Sequence, residues 1–168
     1  MSAHASAEAM SPAEFRAAVA KMRATYPDDR SAVLPALRLA QERHGGWLPE
    51  QAFREVAEAL DTTPAFCLSI ASFYDMFHTE PVGRHLVEVC TNVSCALSGA
   101  QDIVDALERE LGIHVGETTE DGGVTLRTVE CLGGCGWATV VAVDNHHRLH
   151  VRAADAPEIA KSLGEGTA

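Results

Sequence analysis

The chain has 168 residues, 24 of them acidic and 13 basic, so its formal net charge is −11. Hydrophobic residues make up 46% of the sequence and charged residues 22%, which is typical of a globular protein with its own core and excludes a chain disordered throughout. The acidic balance argues against nucleic-acid binding, which needs clustered Lys and Arg. No stretch reaches the roughly 20 apolar residues of a membrane span, and the N-terminus lacks the basic and apolar segments of a secretory signal. We therefore expect an intracellular protein.

The first half of the sequence predicts a helical domain over residues 11–80, preceded by a flexible tail over residues 1–10. Its first helix starts at a capping box formed by Ser11 and Glu14 and should end before Pro27. The four predicted helices begin at Ser11, Ser31, Pro49 and Thr63. The fourth is apolar on nearly every side, which predicts a central position. Three aromatic residues at helical spacing are expected in the core, namely Phe73, Tyr74 and Phe77.

The second half of the sequence predicts an α/β domain over residues 81–164. Segments rich in Val, Leu and Thr predict four strands, at residues 85–89, 124–129, 139–143 and 149–151. A strong helix is predicted between the first two strands, from a capping box at Ser98 to Gly112. A last helix begins near Asp155. The order of these elements predicts an α/β sandwich, so the fold class expected for the whole chain is α+β.

Four of the five cysteines fall in two close pairs, each directly after a predicted strand. Cys90 and Cys95 lie in CTNVSC, and Cys131 and Cys135 lie in CLGGC. If the two strands are neighbours, both loops leave the sheet at one edge and the four sulfurs can converge. Converging thiolates repel one another unless a cation or a cluster neutralises them. Because thiols stay reduced inside the cell, the pairs indicate a zinc site or an iron–sulfur cluster rather than a disulfide framework.

The spacing of the cysteines favours an iron–sulfur cluster and leaves zinc open. Zinc sites commonly place paired cysteines two residues apart, so the C-x4-C and C-x3-C pairs are atypical of zinc. A binuclear cluster is wider than one ion, and longer loops suit its two irons. Gly133, Gly134 and Gly136 allow backbone N–H groups to approach the sulfurs, and a helix N-terminus next to Cys95 favours its thiolate. Thiol–disulfide exchange is a third interpretation, but the sequence has no C-x-x-C.

Four segments of the sequence carry a family resemblance, and they are GGWLPEQAFREVAEAL, IASFYDMF, GRHLVEVCTNVSCALSGAQDIVDALERELGI and GETTEDGGVTLRTVECLGGC. Over roughly residues 26–150 the chain resembles the thioredoxin-like [2Fe–2S] subunit of the NADH-binding module of respiratory complex I. The resemblance implies a helical bundle followed by a thioredoxin-like α/β ferredoxin domain. It also implies one [2Fe–2S] cluster with four ligands, which are Cys90, Cys95, Cys131 and Cys135.

The resemblance further implies the partners of the chain. The family's member in complex I lies against the flavoprotein that binds FMN and NADH and exchanges single electrons with the FMN. It is cytoplasmic, and the complex holds it on the inner face of the membrane. Since this sequence has no nucleotide-binding glycine fingerprint, NADH oxidation is expected in the partner. Equivalent subunits serve NAD-dependent formate dehydrogenases and bidirectional hydrogenases, so the parent complex stays open. A four-cysteine zinc interaction module is the alternative of a different class.

Two residues depart from the family's pattern. Thr139 stands where the family commonly has Pro soon after the last paired cysteine. Thr supplies an additional N–H and a free φ, so the loop that shields the cluster is expected to differ. Ser69 stands where the family commonly has Gly in the helix before IASFY.

Other candidate residues have structural interpretations. Cys67 has no second cysteine near it and is expected to be a buried, inert thiol. Three histidines, His146, His147 and His150, are expected to be solvated rather than metal ligands. Trp137 follows the last paired cysteine closely, and two interpretations of its side chain stay open. It either shields the cluster or contacts a partner, or it only packs against neighbouring residues of the chain.

Overall fold

The computed structural model describes residues 10–164, and this part of the chain divides between Pro81 and Val82 into two compact units. We call them the helical unit (residues 10–81) and the sheet unit (residues 82–164). The flexible tail expected over residues 1–10 lies outside the described residues except for Met10. Met10 packs against the helical core, and its carbonyl accepts a hydrogen bond from Arg43 Nε at 2.9 Å.

The described part of the helical unit contains four α-helices, which are α1 (Pro12–Arg23), α2 (Val33–Arg43), α3 (Glu50–Ala59) and α4 (Pro64–Ala71). A short 3₁₀ helix, Asp29–Ala32, leads into α2. The capping box predicted for α1 is confirmed, because the Ser11 hydroxyl accepts from the Glu14 N–H at 3.3 Å and the Glu14 carboxylate accepts from the Ser11 N–H at 2.8 Å. The helical bundle predicted for this half of the chain is thus present.

The predicted central position of α4 is wrong. Within this helix only Cys67 and Ala71 are buried, because an eight-residue helix on the side of the bundle has a single face against its neighbours. The aromatic residues that follow are divided in the same way. Phe77 is buried, as predicted, whereas Phe73 is 78% exposed and Tyr74 is 39% exposed. Helical spacing therefore placed these rings near one another but did not show that a neighbour covers them.

The sheet unit begins with β1 (His85–Cys90), and two α-helices, three strands and a last α-helix follow. They are α5 (Val93–Leu97), α6 (Ala100–Leu111), β2 (Val124–Val129), β3 (Val141–Val143), β4 (His146–Arg148) and α7 (Ala156–Gly164). The strands form one sheet in the order β2-β1-β3-β4. β1 and β2 are parallel, and β3 is antiparallel to both β1 and β4. The mixed α+β architecture agrees with the predicted fold class.

The core of the sheet unit consists of alternate strand residues and the buried stripes of α6 and α7. Val87 and Val89 of β1 are fully buried, as are Ile103 and Leu107 of α6. A period of two along a strand and of three to four along a helix brings such residues to one side of each element. The core therefore holds the end of β1, where Cys90 lies, in a fixed position.

The start of the helix predicted at Ser98 is wrong. A separate five-residue helix, α5, runs over the preceding residues and ends at Ser98, and α6 begins after Gly99. Gly99 has φ +96°, a left-handed conformation that Gly adopts without steric cost. The chain can therefore change direction between the two helices, which leaves no role for Ser98 as a side-chain cap of α6.

The last strand also differs from the prediction at residues 149–151. β4 is His146–Arg148, because the turn before it consists only of Asp144 and Asn145, both with positive φ. Such two-residue turns join antiparallel strands directly. The preceding strand is shorter than predicted and begins at Val141.

Candidate metal centre

Two loops at one edge of the sheet carry the four paired cysteines. We call residues 90–99 the first thiol loop and residues 131–140 the second thiol loop. Parallel pairing of β1 with β2 sets Cys90 opposite Val129, and the Thr91 N–H donates to the Val129 carbonyl at 3.0 Å. Parallel strands end at the same edge of the sheet. Cys131, two residues after Val129, therefore lies at the same edge as Cys90.

The first thiol loop buries both of its cysteines. Cys90 is 3% exposed at the end of β1, and Cys95 is 2% exposed within α5. Asn92 caps α5 by accepting from the Val93 N–H at 2.8 Å. The position predicted for Cys95, just before the N-terminus of the long helix, is therefore wrong, since this cysteine lies inside a short helix of its own.

The second thiol loop keeps its cysteines at the surface. Cys131 and Cys135 are both exposed, and Cys135 begins a 3₁₀ turn, Cys135–Trp137. Gly133 has φ +74°, and its N–H donates to Cys131 Sγ at 3.3 Å. The predicted approach of a glycine N–H to a sulfur is thus present at this glycine. Gly134 has another role, because a Cβ at this position would lie 2.8 Å from Val140 Cγ2.

Interactions between neighbouring thiols link the four cysteines in series. Cys90 interacts with the thiols of Cys95 and Cys131, and the charges of Cys90 and Cys135 act on Cys95. All five cysteines of the chain, including Cys67, are free thiols. The structure thus brings together the four residues that the sequence singled out.

The electrostatics of the two buried thiols differ. Burial opposes ionisation of Cys90, but the N–H groups of Asn92 and Leu132 and the neighbouring thiols outweigh it, so the pKa of Cys90 is lowered. For Cys95, burial and the charges of Cys90 and Cys135 together outweigh a bond from the Val140 N–H, so the pKa of Cys95 is raised. A thiol with a lowered pKa thus lies next to a thiol with a raised pKa.

Backbone N–H groups lie around the sulfurs. The donors are those of Asn92, Leu132, Gly133 and Val140. The sequence indicated only the glycine among them, since backbone donors carry no residue-type signal. The cap residue Asn92 was the one further signal, because Asn before a short run of apolar residues favours a helix start.

The donor set fits an iron–sulfur cluster. Among residues 10–164, no three Cys, His, Asp or Glu side chains are grouped closely enough to surround a single metal ion. The thiols instead lie as a series of neighbours, with two of them buried and two at the surface. Four cysteine thiolates with N–H donors at their sulfurs are the usual ligand set and surroundings of a [2Fe–2S] cluster.

The remaining candidates lie apart from this site. Cys67 is fully buried in α4, where burial raises the pKa of its thiol, as expected of an inert cysteine. His146 and His147 belong to β4, and both are exposed, as is His150. Trp137 is 55% exposed in the second thiol loop, so simple packing in a core is not its role.

The fold and site agree with a match to a known family. A family model described as thioredoxin-like [2Fe–2S] ferredoxin matches residues 19–164. The chain belongs to this family. The resemblance drawn from the sequence and the iron–sulfur cluster that it implied are thereby supported.

Particular relatives are also close in sequence. The chain is 48% identical over 135 residues to an E-type NADH-quinone oxidoreductase subunit of Rhizobium meliloti, and the match covers 80% of this chain and 77% of that protein. It is 44% identical over 118 residues to the E-type NADH-quinone oxidoreductase subunit of Rickettsia felis, with 70% of this chain and 71% of that protein covered. A relative from Dictyostelium discoideum, the mitochondrial NADH dehydrogenase [ubiquinone] flavoprotein 2, is 40% identical over 129 residues, or 76% of this chain and 52% of that protein.

A solved structure supports the fold alone. An air-oxidized NAD+-reducing [NiFe]-hydrogenase matches with a TM-score of 0.70 at 21% identity, and the match covers 81% of this chain but only 23% of that chain. Within the described residues, no helix has the length and apolar character that crossing a bilayer requires.

Proposed function

We propose that this chain is the electron-transfer subunit of an NADH:quinone oxidoreductase and that Cys90, Cys95, Cys131 and Cys135 hold one [2Fe–2S] cluster. The observation that carries the proposal is the meeting of four free thiols at one sheet edge, where the Gly133 N–H donates to Cys131 Sγ at 3.3 Å. When bound, such a cluster supplies a site that takes up and releases one electron. The two bacterial relatives from NADH-quinone oxidoreductases, at 44% and 48% identity, favour this parent complex.

The residues of the two thiol loops have distinct roles in this proposal. Cys90 and Cys95 keep two sulfurs away from water, because both side chains are buried. The N–H groups of Leu132 and Val140 offset negative charge on these sulfurs. Cys131 lies at the surface, so the edge of the site on its side is open to a redox partner. The chain therefore shields one side of the site and exposes the other.

The surface around the thiol loops suits contact with a protein partner. Residues 91–101 and 131–143 contain no charged residue, although the chain as a whole has a net charge of −11. Three large apolar side chains project from these segments, with Val93 66% exposed, Leu97 85% exposed and Trp137 55% exposed. Exposed apolar residues grouped around a site mark a binding surface.

We propose that this partner is the flavoprotein subunit that carries FMN and oxidises NADH. The complex would hold the chain at the cytoplasmic face of the membrane through its other subunits. No glycine fingerprint for a dinucleotide occurs in the sequence, so hydride transfer belongs to the partner. Within this division of labour, the present chain exchanges single electrons with the flavin.

The experiment is electron exchange between the purified chain and its cognate flavoprotein under anaerobic conditions. NADH reduction of the oxidised chain and reoxidation of the dithionite-reduced chain by oxidised flavoprotein are both followed by absorption and EPR. We expect exchange in at least one direction, and none with flavoprotein stripped of FMN. Exchange in neither direction, with a chain that still holds its cluster, contradicts the proposed partner. Co-purification with formate dehydrogenase or hydrogenase chains contradicts the proposed parent complex.

A further inference from the structure

A buried threonine hydroxyl lies in the second thiol loop. Only three polar residues are buried in the described part of the chain, and they are Glu88, Thr125 and Thr139. Thr139 is 2% exposed, follows a cis peptide bond and is the one of the three that belongs to a thiol loop. Its hydroxyl donates a hydrogen bond to the carbonyl of Val151.

This hydroxyl is part of a set of bonds that ties the loop to the following segment. The Val151 N–H donates to the Thr139 carbonyl at 3.1 Å, and the His150 N–H donates to the Trp137 carbonyl at 3.0 Å. Val151 is itself buried in the core of the sheet unit. The end of the second thiol loop is therefore anchored to the core, and Thr139 contributes the only side chain among these bonds.

The next residue along the chain contacts both buried cysteines. Val140 is fully buried, its N–H lies beside the Cys95 thiol, and its carbonyl accepts from the Cys90 N–H at 3.1 Å. It also packs in a small apolar cluster with these two cysteines. The peptide unit between Thr139 and Val140 contains the N–H that faces the Cys95 sulfur, so anchoring Thr139 fixes the direction of that N–H.

We infer that Thr139 is a positioning residue that holds the Val140 N–H against the Cys95 sulfur and thereby sets the reduction potential of the cluster. The inference rests on the proposed function, since it needs a cluster on these cysteines. Hydrogen bonds to the sulfurs offset the negative charge added on reduction and so raise the potential. A loop without the Thr139 hydroxyl holds this donor less firmly, which lowers the potential and weakens retention of the cluster.

The test uses the full chain reconstituted with iron and sulfide, in three variants. Thr139→Val keeps the shape and removes the hydroxyl, whereas Thr139→Ser keeps the hydroxyl and removes a methyl group. Thr125→Val is the matched control, because the Thr125 hydroxyl is also buried, accepts from the Gly83 N–H at 2.7 Å and bonds the Thr118 hydroxyl at 2.7 Å. Thr125 pairs with Leu86 at the far end of the strands from the thiol loops.

Midpoint potential, EPR line shape and the rate of iron loss to a chelator are measured for each variant. We expect Thr139→Val to lower the potential, alter the line shape and lose iron roughly 10-fold faster, as is usual when a partner of a metal ligand is removed. Thr139→Ser and Thr125→Val should keep the potential of the original chain. Thr125→Val should nevertheless lower the free energy of unfolding, because it removes a buried and hydrogen-bonded hydroxyl.

Two results would overturn the inference. The first is a Thr139→Val variant with unchanged potential and iron loss, and the second is an equal shift of the potential in Thr125→Val. If Thr139→Val takes up no cluster, Thr139→Ser decides, because a normal potential there supports the role of the hydroxyl and a lost or shifted one refutes it. If the chain without any substitution takes up no cluster, that result instead refutes the four proposed ligands.

Discussion

Cysteine has a different role in each of the two units of the molecule. In the helical unit, Cys67 is fully buried without another thiol beside it, and burial raises its pKa. In the sheet unit, Cys90 is nearly as buried, yet its pKa is lowered because N–H groups and neighbouring thiols face its sulfur. Burial alone therefore does not decide the chemistry of a cysteine. Between Cys67 and Cys90 the difference lies in the N–H groups and thiols that face the Cys90 sulfur.

The two units also use charge differently. The helical unit ties its helices with buried or half-buried ions, since Arg43 pairs with Glu55 on the next helix and also bonds the Met10 carbonyl. The thiol loops of the sheet unit contain no charged side chain between residues 91–101 or 131–143. Charged side chains thus stabilise the helical unit. In the sheet unit, backbone N–H donors and apolar side chains surround the cysteines instead.

The contrast between the cysteines is tested most strongly by one substitution in each unit. Cys95→Ser should abolish or severely weaken the visible absorption of the reconstituted chain, because serine is a poor substitute for a thiolate ligand. Cys67→Ser should leave the absorption intact and lower only the free energy of unfolding, by about 1–3 kcal/mol for a buried hydroxyl. Absorption spectra and urea unfolding of both variants measure this. Equal loss of absorption in the two variants would contradict the ligand assignment.

A glycine pair sharpens the difference within the sheet unit. Gly134→Ala places a methyl group 2.8 Å from Val140 Cγ2. Because Val140 is fully buried, its side chain cannot move away from the added methyl group. We expect a loss of about 1–3 kcal/mol from overpacking and faster loss of iron. Gly136→Ala is the control, because nothing lies within 4 Å of the added methyl group. Thermal unfolding and iron release should separate the two variants, and indistinguishable behaviour would show that Val140 is not fixed in place.

The last expected effect is confined to stability and concerns the ion pair of Arg43 and Glu55 in the helical unit. Burial raises the pKa of Glu55, but hydrogen bonds from His44 and Gln51 and the charge of Arg43 outweigh it, so the pKa is lowered. A lowered carboxylate pKa contributes stability above the unfolded value of 4.5, and this stability is lost as the pH falls through the folded value. Glu55→Gln should therefore cost about 1–3 kcal/mol at pH 7 and less in acid.

Urea unfolding at neutral and acid pH checks this expectation against Glu50→Gln. Glu50 pairs with Arg54, but its side chain is 79% exposed, so its removal should change little. The absorption of the cluster should be the same in both variants, since neither belongs to the sheet unit. A larger loss of stability in Glu50→Gln than in Glu55→Gln would contradict the role given to the buried pair.

Local signals were enough to predict most elements of the fold. The capping box at Ser11, the strands at residues 85–89 and 124–129, and the stop at Gly112 all depend on neighbouring residues, and the structure contains each of them. The sequence predicts the meeting of the cysteines only if the two strands are neighbours, and the structure supplies that condition by pairing β1 with β2 in parallel.

The failures concern features that neighbouring residues do not specify. The capping box predicts a helix start at Ser98, but Gly99 with its positive φ separates two helices there. The turn at Asp144 and Asn145 sets the start of β4 at His146, three residues before the strand that the sequence predicts. Phe73 lies just after α4, and hydrophobic periodicity alone cannot show whether a neighbour covers its side chain, which is 78% exposed.

The cluster on the four paired cysteines is tested most directly by an anaerobic absorption spectrum of the purified full chain, with EPR after dithionite reduction and analysis of iron, sulfide and zinc. We predict broad visible bands that bleach on reduction, a rhombic signal of a single unpaired electron, and iron and sulfide in equal amounts. A colourless chain with stoichiometric zinc, which still takes up no cluster when iron and sulfide are supplied, would contradict the proposed cluster and would favour a structural zinc module.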